Sequence, residues 1–162
     1  MKSLVKNLRY VFAALVIGAA VVTGVTSCTP PAATNPTLAP EIQACVGTWV
    51  NDDGGWHSEY VISEEFVKDL SMNCEFKIAS KKSVTSKDGC TLIFTECTKG
   101  TTYTPAGNFY IVAVKMADGK LSISCPIDYS STYTTLVALQ EKYTADYDVA
   151  GNSNYFTVCT KK

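Results

Sequence analysis

Val112–Cys125, VAVKMADGKLSISC, is the stretch that decides the fold. An Asp-Gly pair between two alternating apolar runs favours a two-residue type I′ turn, whose twist matches that of paired strands. With Asp118 and Gly119 at the tip, the register follows. Met116 faces Leu121, Val114 faces Ile123 and Val112 faces Cys125, all on one side. Lys115 with Ser122, and Ala113 with Ser124, take the other side. Turn chemistry and alternation agree, so the stretch reads as an antiparallel hairpin with one buried face.

Downstream of Pro126 the period changes. Leu136, Leu139 and Tyr143 fall three and four apart within Thr132 to Tyr143, as on a short amphipathic helix. Gly151–Asn154 reads as a loop, and Tyr155–Thr160 as the closing strand. Upstream, Cys45–Val50 reads as the first strand and Asn51–Gly55 as a turn cluster, with no carboxylate spacing of a calcium loop. Ser58–Ser63 is a second strand. Glu65–Lys68 fits either a short third strand or a helical turn capped by Ser63, with Phe66 and Leu70 four apart. In Cys74–Ser80 the residues Cys74, Phe76 and Ile78 alternate with Glu75 and Lys77, the mark of a half-buried strand. Lys81–Lys87 is a polar loop or exposed strand, Asp88-Gly89 a turn, and Cys90–Cys97 the next strand. The fold expected is all-β: one small antiparallel barrel or barrel-like meander of about eight strands, with one short helix before the last.

Within the first strand, Gly47-Thr48-Trp49 resembles the Gly-x-Trp of lipocalin-like barrels, in which the tryptophan plugs the closed end. The resemblance implies that Gly47 and Trp49 form a barrel plug. In that family an arginine from the last strand commonly covers the tryptophan; here only Lys161 and Lys162 stand near that place. Other all-β sandwiches and open barrels stay open as alternatives.

The leader carries its own pattern. Lys2, Lys6 and Arg9 precede an uncharged, mostly aliphatic run from Tyr10 to Val22, and small residues follow. That order is a secretory signal peptide, and the run is slightly short for a membrane span. Val25-Thr26-Ser27-Cys28 resembles the lipobox of bacterial lipoproteins, with valine where leucine is usual. The resemblance implies cleavage before Cys28, acylation of its thiol, palmitate among the acyl chains, and anchoring in the cell envelope, at the outer membrane or cell surface. Two or more acyl chains hold a protein at a membrane firmly. Residues 1–27 are then signal peptide and residues 28–41 a lipidated cysteine with a tether. In Thr29–Glu41 the residues Pro30, Pro31, Pro36 and Pro40 favour an extended spacer of about 30–40 Å. Residues 42–162 make one β domain.

Loss of residues 1–27 removes three basic residues and no acid. What remains has 11 lysines, no arginine and 15 acids, a net charge of −4. An acidic chain without arginine argues against nucleic-acid binding.

Apart from Cys28 there are six cysteines: Cys45, Cys74, Cys90, Cys97, Cys125 and Cys159. An even number in an oxidising extracytoplasmic space makes them disulfide candidates. If the ends of a barrel meet, Cys45 and Cys159 are neighbours. A wide loop after the fourth strand sets Cys74 opposite Cys97 and leaves Cys90 for Cys125; a tight turn at Asp88-Gly89 sets Ser80 opposite Cys97 instead. There is no C-x-x-C, and His57 is the sole histidine, so no metal site or cofactor is expected. No nucleophile motif accompanies His57, and no catalytic residue is assigned. The nine tyrosines suit either ordinary extracellular sheet or adaptable recognition. The expectation is a monomeric, non-enzymatic surface lipoprotein displaying a β domain for protein binding or a structural role. The alternative is a lipocalin-like carrier of a small apolar ligand.

Overall fold

The structure is a computed structural model that describes residues 37–53, 55–152 and 155–162. Cys28, the leader and most of the tether lie outside the described residues. The strands are β1 (Gly47–Asn51), β2 (Ser58–Ile62), β3 (Phe66–Asp69), β4 (Cys74–Ile78), β5 (Val84–Thr85), β6 (Thr91–Lys99), β7 (Phe109–Ala117), β8 (Lys120–Ser124) and β9 (Thr157–Lys161). Three short helices are α1 (Pro40–Gln43), α2 (Leu136–Lys142) and α3 (Val149–Asn152).

Eight strands close into an antiparallel up-and-down barrel, as the sequence led one to expect. Each pairs with the next, β4 pairs directly with β6, and β9 returns to β1. The ninth, β5, pairs with the beginning of β6, on the edge whose later part carries β4. The Asp88-Gly89 turn therefore joins β5 to β6, while a wide excursion separates β4 from β6. Phe76, and not Cys74 or Ser80, stands opposite Cys97, and a bulge between Glu75 and Phe76 then sets Glu75 opposite Lys99.

The decisive hairpin has the expected register: Met116 faces Leu121, Val114 faces Ile123 and Ala113 faces Ser124. Asp118 (φ 51°) and Gly119 (φ 73°) both take the left-handed conformation a type I′ turn requires. The ladder ends at Ser124, one residue short of the Val112–Cys125 pair. Met116 is 39% exposed at the rim, so the buried face is one residue shorter than alternation implied.

The end of the barrel where β1 begins is filled. Ile42 of α1 and the preceding Leu38 are buried in the same core as Trp49, Ile62, Val67 and Phe76. The folded body thus starts before Ile42, and Pro40 opens a helical turn where an extended spacer was expected. Trp49 Nε1–H donates to the Cys45 carbonyl at 2.8 Å. Lys161 Nζ lies 5.6 Å from the Trp49 ring centroid and donates to the Val46 carbonyl at 3.3 Å. Gly47 has φ +149°, and a Cβ there would stand 2.8 Å from Lys161 Cε. The glycine leaves room for the lysine to cross the tryptophan.

β6 and β7 are buried on both faces. Ile93, Cys97, Tyr110, Val112 and Val114 face the interior. Leu92, Phe94, Ile111 and Ala113 face outward, beneath Leu139, Tyr143 and Val149. The expected helix forms as α2, where the Thr135 hydroxyl accepts from Ala138 N–H at 3.2 Å as an N-cap and Leu139 seals the wall. Two further short helices were not foreseen. α3 occupies the start of the expected loop, and Tyr155 lies outside the last strand. Glu65–Lys68 belongs to the strand alternative, with Leu70 exposed beyond it.

Trp49→Ala should lower the unfolding free energy by about 3–5 kcal/mol, the range for deleting a buried large aromatic. Thr135→Ala should cost about 1 kcal/mol through loss of the cap. Urea denaturation followed by circular dichroism measures both.

Candidate functional site at the barrel mouth

The opposite end of the barrel is open. Four connections contribute to it: residues 52–53 and 55–57 after β1, 70–73 after β3, 100–108 after β6, and the segment from Cys125 that leaves β8. Two adjoining hollows lie among them and share Met72, Cys125 and Tyr129. One is an apolar lobe of about 360 Å³, walled by Cys74, Tyr103, Thr104 and Pro126 besides the shared residues. The other, of about 580 Å³, is more polar and includes Trp56, Tyr60, Asp69, Tyr155 and Thr157. Both sizes fall within the range of small-molecule sites.

The lip is aromatic and exposed. Trp56 and Tyr155 are each 81% exposed, and Tyr103 is 74% exposed. Beneath the lip the side chains are buried. Tyr60 and Asp69 are paired residues of β2 and β3, and both turn inward. Tyr60 O–H donates to Thr157 Oγ1 at 3.5 Å. Burial pushes the Tyr60 phenol up to about 12, so it stays a neutral donor.

Asp69 is only 3% exposed. Met72 N–H donates to its Oδ1 at 2.9 Å, and Ser71 N–H also donates to the carboxylate. Burial raises its pKa, against the pull of those two amides. Among the described residues no Lys or His nitrogen lies within ion-pair distance of it; the pairs that form are His57 with Asp52 and Glu59, Lys68 with Glu75, and Lys162 with Glu59.

The six disulfide candidates are free, buried thiols in the structure. The expected pairings meet the register as follows. Trp49 pairs with Lys161 and Val50 with Thr160, so Cys159 falls level with Asn51 at the mouth end of β1, while Cys45 precedes β1 in the turn after α1 at the filled end. Cys90 belongs to the outer cluster and Cys125 to the interior, on opposite sides of the β6–β7 wall. Cys74 and Cys97 do converge. Cys74 Sγ is 3.8 Å from Thr104 Oγ1, and Cys97 Sγ–H donates to the Thr104 carbonyl at 3.4 Å. Burial pushes the Cys45, Cys90, Cys97 and Cys159 thiols up to about 11, which holds them protonated at neutral pH and weakly nucleophilic.

His57 is exposed on the edge of the polar lobe. Its Nδ1 lies 2.5 Å from Asp52 Oδ1, and its Nε2 lies 3.8 Å from Glu59 Oε2. Its partners among the described residues are these two carboxylates, with no serine or cysteine hydrogen-bonded to it. No group of three or more metal-ligating side chains occurs among the described residues.

Of the residues singled out from sequence, Gly47 and Trp49 lie at the filled end, away from the mouth. Cys74 and Cys125 line the mouth. Asp69, Met72, Tyr129 and Trp56 were missed. Asp69 continues the strict alternation of Val67 across β3, and a carboxylate at an inward position is the signal that could have found it.

The hydrogen bond to Asp52 raises the His57 pKa, and the charges of Asp52 and Glu59 add to it. The pairing therefore contributes stability that is complete below the ordinary value of 6.5 and fades as pH rises through the raised folded-state value. An NMR titration should give His57 a pKa above 6.5, and Asp52→Asn should move it down.

No protein-family model matches the chain, and no curated protein and no solved structure matches it. What the site does is read from its own atoms: a half-enclosed apolar hollow beside a buried carboxylate, under an aromatic lip.

Proposed function

We propose that the chain is a membrane-anchored lipoprotein whose barrel carries a small, largely apolar ligand in its open mouth. The single observation behind this reading is the apolar lobe of about 360 Å³ at one end of a barrel whose other end is plugged. A blind, apolar, half-covered hollow suits a guest that is held and released through one opening. The lipobox-like Val25–Cys28 supplies the anchor, through acyl chains on Cys28, and with it a cell-envelope location facing an oxidising space.

This ordering departs from the one sequence favours. A small barrel is expected to be filled by its own side chains. The floor agrees, and the mouth does not, which moves the carrier reading ahead of display for protein binding. The protein-binding reading keeps one supporting observation, the exposed Trp56, Tyr103 and Tyr155 on a single lip.

N-phenyl-1-naphthylamine, a neutral probe that fluoresces in apolar surroundings, should bind the full chain in nanodiscs with one-to-one saturation. Met72→Trp, on an exposed side chain shared by both lobes, should weaken it about tenfold, or about 1.4 kcal/mol. No saturable signal, together with capture of an envelope protein lost on Trp56→Ala, would favour the protein-binding reading.

Fatty-acid labelling in the source cells should mark the wild type and spare Cys28→Ala. Mild oxidation of the full chain should join Cys74 to Cys97, read by peptide mapping after alkylation. A Cys45–Cys159 or Cys90–Cys125 peptide would count against the register described above.

A further inference from the structure

We infer that the polar lobe of the mouth binds a small organic cation, a protonated amine on an aromatic or aliphatic body, with Asp69 as counter-charge and Trp56, Tyr60, Tyr129 and Tyr155 as walls. The inference rests on the carrier reading and names the chemical class of its guest.

The first argument is the isolation of the carboxylate. Asp69 ends β3 with its side chain on the interior face, in register with Tyr60. Two backbone amides from the 70–73 turn donate to it, and they bring only partial positive charge. Several cations of the barrel are committed elsewhere. His57 stands between Asp52 and Glu59, Lys162 pairs with Glu59, Lys68 pairs with Glu75, and Lys99 Nζ donates to Asn73 Oδ1 at 2.6 Å. A carboxylate removed from water without a full counter-charge is costly, and a bound ammonium supplies what the protein withholds.

The second argument is the wall. Trp56, Tyr60, Tyr129 and Tyr155 line the same hollow as Asp69. Aromatic faces attract cations through their quadrupole, and a ring of them beside an acid suits an ammonium better than an anion or a neutral polar group. No lysine lines that hollow among the described residues, and its one basic side chain, His57, is held between Asp52 and Glu59, so no free cation there offers an anion a counter-charge.

The third argument is the reach of the negative charge. Tyr60, Cys74, Cys125, Tyr129 and Cys159 have their pKa values raised chiefly by burial, and the Asp69 charge adds to each. These residues come from β2, β4, β9 and the segment after β8, so the Asp69 charge is felt on several sides of the mouth. An amine at Asp69 would leave its apolar body free to enter the adjoining lobe past Met72 and Tyr129, the residues both lobes share.

Calorimetry of the full chain in nanodiscs tests this with three probes of one size: tryptamine, tryptophol and indole-3-propionate. Tryptamine should bind about tenfold or more tighter than tryptophol, with indole-3-propionate weakest. Asp69→Asn should bring tryptamine down to the level of tryptophol measured on the same variant. Trp56→Ala, on a side chain at the lip, should weaken tryptamine more than tryptophol. The wild-type probe order needs no variant, so it decides even where Asp69→Asn fails to fold. Tryptophol or indole-3-propionate binding as tightly as tryptamine overturns the inference and leaves the carrier reading standing. Failure of all three overturns it too, and the N-phenyl-1-naphthylamine titration then judges the carrier reading separately.

Discussion

The barrel depends on one short seam. β9 meets β1 over only two residue pairs, Trp49 with Lys161 and Val50 with Thr160. Without it the sheet is an open meander, and each edge offers unpaired amides to any other strand. Side chains reinforce the join where the ladder is short. Asn51 Nδ2–H donates to the Val158 carbonyl at 2.8 Å, Thr160 O–H donates to the Val50 carbonyl at 3.4 Å, and Lys161 spans from β9 to the Val46 carbonyl over Trp49. Backbone adds one more bond, from Lys162 N–H to the Thr48 carbonyl at 3.0 Å. The tryptophan is thus both the floor of the barrel and the surface against which its closure is fastened.

Closure divides the interior into two regimes. At the floor, Ile42, Trp49, Ile62 and Phe76 fill the space with apolar volume. Toward the mouth the inward positions become short or polar: Cys74, Asp69, Thr157. Small side chains there leave room that large ones would occupy, and the hollow follows from residue size as much as from loop shape. The β6–β7 wall, apolar on both faces, gives the mouth a rigid side, since the outer cluster around Leu139 and Tyr143 clamps the strands from behind. Tyr133 meets Tyr143 edge to face and Tyr147 lies tilted against Tyr143, with ring centroids 6.0 Å and 4.6 Å apart along the series. Part of the tyrosine-rich second half is therefore packing and not recognition surface.

Much of the fold was legible because independent signals coincided. Asp118-Gly119 fixed a turn whose register the flanking alternation also required, so Val114 and Ile123 could be paired by counting. α2 was readable from Leu136, Leu139 and Tyr143, because spacings of three and four together fall on one side of a helix and not of a strand. The two-sided burial of β6 was present as the run Leu92-Ile93-Phe94, though such a run alone does not say what covers the outer face. The thiol pairings were not legible. They turn on a bulge at Glu75/Phe76 and on an extra two-residue strand, and neither leaves a mark in composition. The place where the folded body begins was obscured by Pro40, which reads as spacer and serves as the first residue of a helical turn. Asp69 was hidden for a simpler reason: one acid in a short strand looks like an edge residue until its neighbours across the barrel are known.

The geometry of the seam has a mechanical corollary. β1 and β9 are antiparallel, so Gly47 and Lys161 sit at the same end of their shared ladder. A tensile load drawn through those two strand ends would act across the hydrogen bonds and break them one after another, as a zipper opens. Loading in shear would have to break them together. The join that closes the cylinder is, along this one direction of pull, its weakest line.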